Sequence, residues 1–482
     1  MRKTAFLALI LLSGCVATQD YRAPVEIPST FLETQRSRGN LSGAGVAGPI
    51  NPSAGNGTPS DPEWSPAEPW RMLGDTTLNR LMDLALEANL DVHAARSRIR
   101  SAGSARTEAA LDLAPIVTFA AGYNRERLSS VTFPLRTGTF TDQDVWNGGL
   151  NATWEIDIFG RQRRNLQARG ALVDFAHEDL RDVQVALAAE LSRAYFDLRG
   201  AQEHLSVLRR NAENQRRTLE LTRERLDAGR GTAFDVERAQ AQLSLTLSGI
   251  PSVEAREFAA RYEIAVLVGR PPGTFSNELG RSGDLPGLPP VPLVTDPVEL
   301  IRRRPDVAGA ERRLAAERAL VGVAKANYLP RVAIVGSAGY TATSASSLGE
   351  SGTSRYGIGP VVTWAGFDLG RVKTRVDGAR ARASEAEARY EQSVLLALEE
   401  IETTLARYQA ALDRVERIRE AAAASERAAE LARLRFTQGV ADFLQVLDAE
   451  RMQLETQAQL TRARTEGATT YSELYRALGG EW

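Results

Sequence analysis

Trp154-Glu155-Ile156-Asp157-Ile158-Phe159-Gly160-Arg161 has a counterpart in Trp364-Ala365-Gly366-Phe367-Asp368-Leu369-Gly370-Arg371, about 210 residues further along the chain. At the same offset Leu226-Asp227-Ala228-Gly229 lines up with Phe436-Thr437-Gln438-Gly439, and Asp235-Val236 with Gln445-Val446. The match covers about eighty residues without a shared insertion. A repeat of that length means one supersecondary unit used twice, so a reading of one half has to serve the other. Each copy joins two short β-strands to very long helices.

Outward from Trp154, the pattern predicts strands over 116–125 and 145–158, then a helix from Gly160 to Ala228 and another over 232–268. A helix over 76–112 precedes them and gives way before Pro115. The second copy reads as a helix over 297–326, strands over 331–341 and 355–367 after Pro330, and helices over 371–437 and 442–478. Proline fixes φ and removes a donor, which favours this change from helix to strand. In 145–158 Trp146, Leu150, Ala152, Trp154, Ile156 and Ile158 share one face, with Asn147, Asn151, Thr153, Glu155 and Asp157 on the other. Val117, Phe119, Ala121 and Tyr123 alternate likewise, as do Tyr356, Ile358, Val362 and Trp364. Such alternation fits a half-buried sheet and also a lipid-facing barrel with a polar lumen.

The long helices carry heptads. Leu166, Val173, Leu180, Leu187, Ala194, Ala201 and Leu208 step by seven, as do Val394, Ile401, Tyr408, Val415 and Ala422. A kept seven-residue repeat implies left-handed supercoiling. At about 1.5 Å per residue each helix is roughly 100 Å long, so it needs partners of equal length.

Composition narrows the class. The chain has 482 residues, 43% of them apolar, and a formal charge of −2, which gives no reason to expect nucleic acid. Arg2 and Lys3, the apolar run Thr4–Leu12 and Ser13-Gly14 form a secretory leader, residues 1–14. Cys15 is the sole cysteine and follows the leader directly, so no internal disulfide can form after export. No later stretch is long and uncharged enough for a transmembrane helix. His93, His177 and His204 lack metal-ligand spacing, and no catalytic or phosphate-binding constellation stands out, so neither cofactor nor metal is expected and the chain does not read as an enzyme. Arg302, Arg303 and Arg304 read as solvated charge near a helix start.

Four strands cannot close a barrel, and open strand edges are not tolerated in lipid. If these strands span a membrane, several chains must share one barrel. A dimer gives eight strands, whose interior fills with side chains; a trimer gives twelve and leaves a channel. The geometry therefore predicts a homotrimer, conditional on membrane strands.

At this point the residues resemble the TolC-like outer-membrane efflux factors, in the NodT-type lipoprotein branch that works with resistance-nodulation-division pumps. The resemblance spans nearly all of the mature chain. It rests on Trp70-Arg-Met-Leu-Gly-Asp75, Ala88-Asn-Leu-Asp91, Leu267-Val-Gly-Arg-Pro-Pro272, Arg303-Arg-Pro-Asp-Val307 and Ala324-Lys-Ala-Asn-Tyr-Leu-Pro330. Gly439-Val-Ala-Asp-Phe-Leu-Gln-Val-Leu-Asp-Ala-Glu450 and Leu474-Tyr-Arg-Ala-Leu-Gly-Gly480 are the most specific stretches. Leu12-Ser13-Gly14-Cys15 resembles a lipobox, which implies that Cys15 is lipidated, and Val16 after it points to the outer membrane.

The resemblance implies a mainly α protein with a small β part. Four membrane strands per protomer would form a shared 12-stranded trimeric barrel, continued by a coiled-coil α-helical barrel in the periplasm. It implies passive export of small molecules such as drugs, handed over by an inner-membrane pump and a periplasmic adaptor. The expected layout is leader 1–14, lipid-anchored tether 15–70, first repeat 71–270, linker 271–296 and second repeat 297–482. Phe119, Tyr123, Trp146, Trp154, Tyr340, Tyr356 and Trp364 are the expected membrane-strand aromatics. The helix-to-helix turns would be periplasmic tips where partners dock and the tube closes, with Gly229, Thr232, Gly439 and Asp442 as candidates. The same residues also serve as ordinary caps, Gly229 and Gly439 for helix ends, Thr232 with Asp235 and Asp442 with Gln445 for helix starts. Loops 126–144 and 342–354 would face outside the cell, with Arg125, Glu126, Arg127 and Arg136 as solvated charges. Two alternatives stay open: a coiled-coil envelope lipoprotein without a pore, and a channel for type I-like protein secretion.

Overall fold

The computed structural model describes residues 69–127, 141–292 and 297–480. The leader, Cys15, Val16, most of the tether and Arg136 lie outside the described residues.

Caps and prolines set the element boundaries. Asp75 accepts from the N–H groups of Thr77 and Leu78 at 2.8 and 3.0 Å and starts α1 (Thr76–Ala88). Asn89 does the same for α2 (Leu90–Leu111), accepting from Asp91 and Val92. The single helix expected over 76–112 is therefore two, because Asn89 holds extended backbone and its amide donates to the Leu267 carbonyl at 2.8 Å. β1 (Ile116–Glu126) and β2 (Gln143–Ile156) follow, then α3 (Arg161–Asp227) and α4 (Ala233–Leu267). The connection holds one short helix, α5 (Ser276–Leu279). The second half has α6 (Pro297–Arg303), α7 (Pro305–Ala326), β3 (Arg331–Ala342), β4 (Ser354–Thr363), α8 (Leu369–Thr437) and α9 (Phe443–Ala477). The helix expected over 297–326 is also split, since Pro305 keeps Arg304 extended.

The strands form one antiparallel sheet in the order β1-β2-β3-β4, so among the described residues β1 and β4 each keep one free edge. Its register places Phe119 opposite Leu150, Leu150 opposite Ala338, and Ala338 opposite Tyr356. Gly149 and Gly339 let β2 and β3 approach closely; a Cβ on Gly339 would lie 2.3 Å from the Gly148 carbonyl oxygen.

α3 has 67 residues and α8 has 69, about 100 Å each. In its first half α3 lies against α2 and α7, where Arg98 reaches Asp179 and Gly309 meets Phe175. In its second half it lies against α4 and α9, where Arg209 reaches Glu254 and Thr218 reaches Glu450. α8 runs along α7 and then α9 in the same way. The heptad row Val394, Ile401, Tyr408, Val415, Ala422 is buried and continues to Ala429 and Phe436. The α3 row is buried from Leu187 onward, whereas Leu166, Val173 and Leu180 are half-buried.

The largest core sits at the waist, where Leu78, Leu81, Met82, Leu191, Tyr195, Phe196, Leu198, Ile264, Leu279 and Leu285 pack together. Each large apolar side chain buried there contributes about 1.5–3 kcal/mol. Residues 276–292 cross the waist as a strap. The strap carbonyls of Leu279, Arg281 and Pro289 accept from Gln202 (2.7 Å), Arg199 (3.0 Å) and Tyr408 (2.5 Å). Tyr195 donates to Asp75 at 2.5 Å while Arg199 donates to the Tyr195 oxygen at 2.9 and 3.0 Å.

One expected surface charge is a core residue. Arg304 is buried; it donates to Glu400 at 2.6 Å, to both oxygens of Asp306 at 2.9 and 3.1 Å, and to the Ala477 carbonyl at 2.6 Å. Breaking the helix at Pro305 turns this side chain inward, and the two carboxylates neutralise it. Arg302 and Arg303 are exposed, as expected.

Candidate functional site

Two regions at opposite ends of the long helices concentrate the functional features. The first is the sheet. The register puts Val117, Phe119, Ala121 and Tyr123 on the same face as Trp146, Leu150, Ala152 and Trp154, and on to Ile334, Ala338, Tyr340, Tyr356, Ile358 and Val362. The opposite face carries Thr118, Asn124, Asn147, Asn151, Thr153, Glu155, Ser337 and Thr341. The apolar face is uncovered: Phe119 is 72% exposed, Ile358 79% and Tyr356 89%. Exposed side chains of this size on one continuous face are a surface for an apolar medium or a partner.

Aromatic residues bracket that face. Tyr123 packs against Trp146 with ring centroids 4.7 Å apart near the loop end, and Tyr340 lies beside them in the register. Trp154 marks the helix end, eight residues from Trp146 along β2. That separation is about 26 Å of strand, or about 18–21 Å along the axis of a barrel whose strands tilt by about 35–45°, most of the roughly 25 Å apolar band between aromatic girdles. Trp154 donates its indole N–H to the Leu113 carbonyl at 2.8 Å, and Trp364 donates to the Tyr328 carbonyl at 3.0 Å. Both indoles thus tie the sheet end to the end of the preceding helix. Trp364 itself lies just past β4, which ends at Thr363, and Ile158 lies past β2. The strands expected to 158 and 367 are shorter because the chain turns there to enter the long helices.

Below the sheet Asp157 prepares the start of α3. Its carboxylate accepts from the backbone N–H groups of Gln162 and Arg163 at 3.1 and 2.9 Å. Burial opposes its charge, but those donors and the Arg163 guanidinium prevail and hold its carboxyl below the usual range. Arg161 grips Glu155 through two bonds of 3.0 and 2.8 Å. At the loop end Arg125 and Arg127 are exposed and pair with Asp142, as solvated charges do.

The second region is the pair of turns at the far ends of α3 and α8. Gly229 and Gly439 adopt φ of +69° and +78°. Each closes its helix by the same pattern: Arg230 N–H bonds to the Arg225 carbonyl at 2.8 Å, and Val440 N–H to the Arg435 carbonyl at 2.9 Å. Thr232 and Asp235 form a complete capping box. Asp442 accepts from Gln445 N–H at 3.0 Å and is exposed, without a reciprocal bond. All four candidate tip residues therefore sit where helix ends need them.

The tips lie side by side, held by a residue that the sequence does not mark. Arg225 donates to the Phe436 carbonyl at 2.6 Å, and its guanidinium lies 4.1 Å from the centroid of the Phe436 ring. Beneath it Ala212, Leu219, Ala239, Leu243, Phe436, Phe443, Val446 and Leu447 close a core drawn from four helices. One level up, α3 and α9 meet through a polar seam. Asn211 donates to Gln457 at 2.8 Å, Thr218 donates to Glu450 at 2.9 Å, and Arg433 lies 3.6 Å from the same carboxylate. Burial pushes the Glu450 carboxyl up, only partly offset by Thr218 and Arg433. Phe234 and Val440 remain exposed at the tips, with Arg238 over the Phe234 ring at 5.3 Å. Nothing in the heptads singles out Arg225 or Glu450: each reads as an ordinary helix-surface charge.

Among the described residues no group of His, Cys, Asp and Glu could hold a metal ion, and no helix is long and apolar enough to cross a membrane.

The model of the outer membrane efflux protein family matches residues 81–270 and 297–480. Nodulation protein T of Rhizobium leguminosarum bv. trifolii is 29% identical over 480 residues, covering 99% of this chain and 96% of the relative. The solvent efflux pump outer membrane protein SrpC of Pseudomonas putida is 27% identical, covering 98% of this chain and 97% of the relative. Among solved structures, the outer-membrane channel OprN is 37% identical with a TM-score of 0.84, covering 96% of this chain and 98% of that one.

Proposed function

The chain belongs to the outer membrane efflux protein family, and on that premise we propose that it works as a homotrimer, the exit duct of a tripartite resistance-nodulation-division pump. It is an outer-membrane efflux protein whose long helices extend into the periplasm, with the fold of channel proteins. The observation that carries the trimer is the sheet: four strands, two free edges and an uncovered apolar face. Unpaired edges cost several kcal/mol per backbone group in lipid, so β1 of one protomer pairs with β4 of the next until twelve strands close. Eight strands would leave no room for cargo.

In this reading a periplasmic adaptor docks at the tips around Gly229, Thr232, Gly439 and Asp442, where exposed Phe234 and Val440 offer apolar contact. Asp442 also faces the pore, where three copies concentrate negative charge. Cys15 carries the lipid anchor, and the chain divides into tether 15–70, units 71–270 and 297–482, and the connecting strap. The duct is passive and not an enzyme, and its cargo is the small molecules that the inner-membrane pump selects. SrpC, the outer membrane protein of a solvent efflux pump, supports that assignment of pump and cargo.

Paired cysteines, one on β1 and one on β4, test the arrangement, with each single cysteine as the control. Oxidation is expected to give covalent trimers on denaturing gels, and the purified protein to conduct ions in planar bilayers. Cross-links that stop at dimers, or a protein that never conducts, refute the duct.

A further inference from the structure

A hollow of about 490 Å³ opens between α4 and α9, with α3 as its floor. That volume lies within the usual range for small-molecule sites, about 300–1,000 Å³. Its lining brings Arg256 from α4 and Arg462 from α9 to either side of His204 on α3. His204 is buried, and its ring is held below the usual histidine range by burial, then by Arg256 and by Arg462. Both arginines therefore share the hollow with an imidazole that disfavours its charged form.

The charges around it are unevenly matched. Of the acids lining the hollow, Asp197 and Glu263 are both bonded by Arg193, the former at 2.9 Å. Glu466 is bonded by Arg414. Burial pushes the Asp197 carboxyl up, against the Arg193 guanidinium bonded to it. Neither Arg256 nor Arg462 has a hydrogen bond or ion pair among the described residues. Arg193 serves two of the acids, so four guanidinium groups face three carboxylates and one positive charge is in surplus, with Arg256 and Arg462 the two that no acid bonds. The floor is made of small residues, Gly200 and Ala201, and Thr465 comes so close that a Cβ on Gly200 would lie 2.1 Å from its hydroxyl oxygen.

We propose that this hollow binds an organic anion, its carboxylate forked between Arg256 and Arg462 and its apolar body over Ala201 and Ala259. Guanidinium groups match a carboxylate in plane and charge, and both of these stand at the exposed rim where a ligand can reach them. The hollow opens on the side of α3 opposite the strap, since Arg199 and Gln202 on the other face hold the strap carbonyls. Three straps would obstruct the lumen of an open tube, so they lie outside and the hollow faces inward. This placement, unlike the site itself, rests on the trimeric duct proposed above. Cargo bearing a carboxylate would pause there on its way out.

The test uses the full-length protein in detergent, titrated into 4-fluorobenzoate and, separately, the neutral 4-fluorobenzamide, with binding read from fluorine NMR line widths. The acid is expected to bind at least tenfold tighter than the amide. Arg256→Gln and Arg462→Gln are each expected to weaken the acid about fourfold, and the double variant at least tenfold, with no change for the amide and an unchanged melting curve. Equal binding of acid and amide, or a double variant that holds the acid like the wild type, overturns the site. Single-channel current then tests the placement: the acid is expected to reduce current through the wild type and not through the double variant. Binding without current reduction overturns the lumen placement, and a protein with no conductance overturns the duct while leaving the anion site standing.

Discussion

Replacing Arg225 by Ala removes a side chain that reaches from one tip to the other, and the cost can be worked from its contacts. The hydrogen bond to the Phe436 carbonyl is 2.6 Å and charge-assisted, and the group is half-buried. A bond to a charged donor contributes about 1.5–3 kcal/mol, and partial exposure argues for the lower end. The guanidinium over the Phe436 ring at 4.1 Å adds about 0.5–1 kcal/mol. Together these give about 2 kcal/mol, or about 30-fold in a local opening equilibrium. The wider core is untouched, so global stability should hardly move. Amide hydrogen exchange reads the local term directly. In Arg225→Ala, amides of residues 439–447 should exchange about 30-fold faster, while those of 187–198 at the waist stay as in the wild type. Phe436→Leu removes the ring under the guanidinium together with part of the tip core, and the double variant should cost less than the two singles summed. Tip exchange within twofold of wild type, or an acceleration spread evenly along α3, would refute the idea that Arg225 joins the tips.

Arg304→Ala strands Glu400 and the Ala477 carbonyl, and loss of one partner of a buried pair costs about 3–5 kcal/mol; thermal melting should show a large drop, and Arg303→Ala next to it almost none. Gly339→Ala forces a Cβ to within 2.3 Å of the Gly148 oxygen and should part β2 from β3, seen as less protein in outer-membrane fractions, with Gly359→Ala, which meets open space, as the tolerated control. Glu450 has a carboxyl pKa raised by burial, so its contribution to stability is fully present below the unfolded value of about 4.3 and is lost as pH rises through the higher folded value. Glu450→Gln should therefore gain melting temperature relative to the wild type on going from pH 5 to pH 8; an offset that is the same at both would count against a buried, proton-linked Glu450.

The strands were legible because their period of two places every large apolar residue on one face, and the register kept Phe119, Trp146, Trp154 and Tyr356 together as expected. The long helices were legible from their heptads, and the tip glycines from the need for positive φ. What stayed hidden is long-range or polar. Asn89 interrupts a helix with no proline to announce it, because its amide is drawn to a carbonyl 178 residues away. Arg304 looked like one of three surface arginines, since Glu400 stands 96 residues further on. Arg225 meets Phe436 across 211 residues, and no local pattern carries that contact. The groove around His204 was equally invisible, being assembled from three helices.

The strap at the waist makes each long helix a lever, with its fulcrum near Gln202 on α3 and near Tyr408 on α8. Roughly 40 Å of helix separates Gln202 from the end of α3 at Asp227. A swing of only about 5° at the fulcrum would carry the far end about 3 Å sideways, a water molecule's width, while the indole ties at Trp154 and Trp364 keep the lipid end still. Large movement below and stillness above are thus both properties of where the rods are clamped.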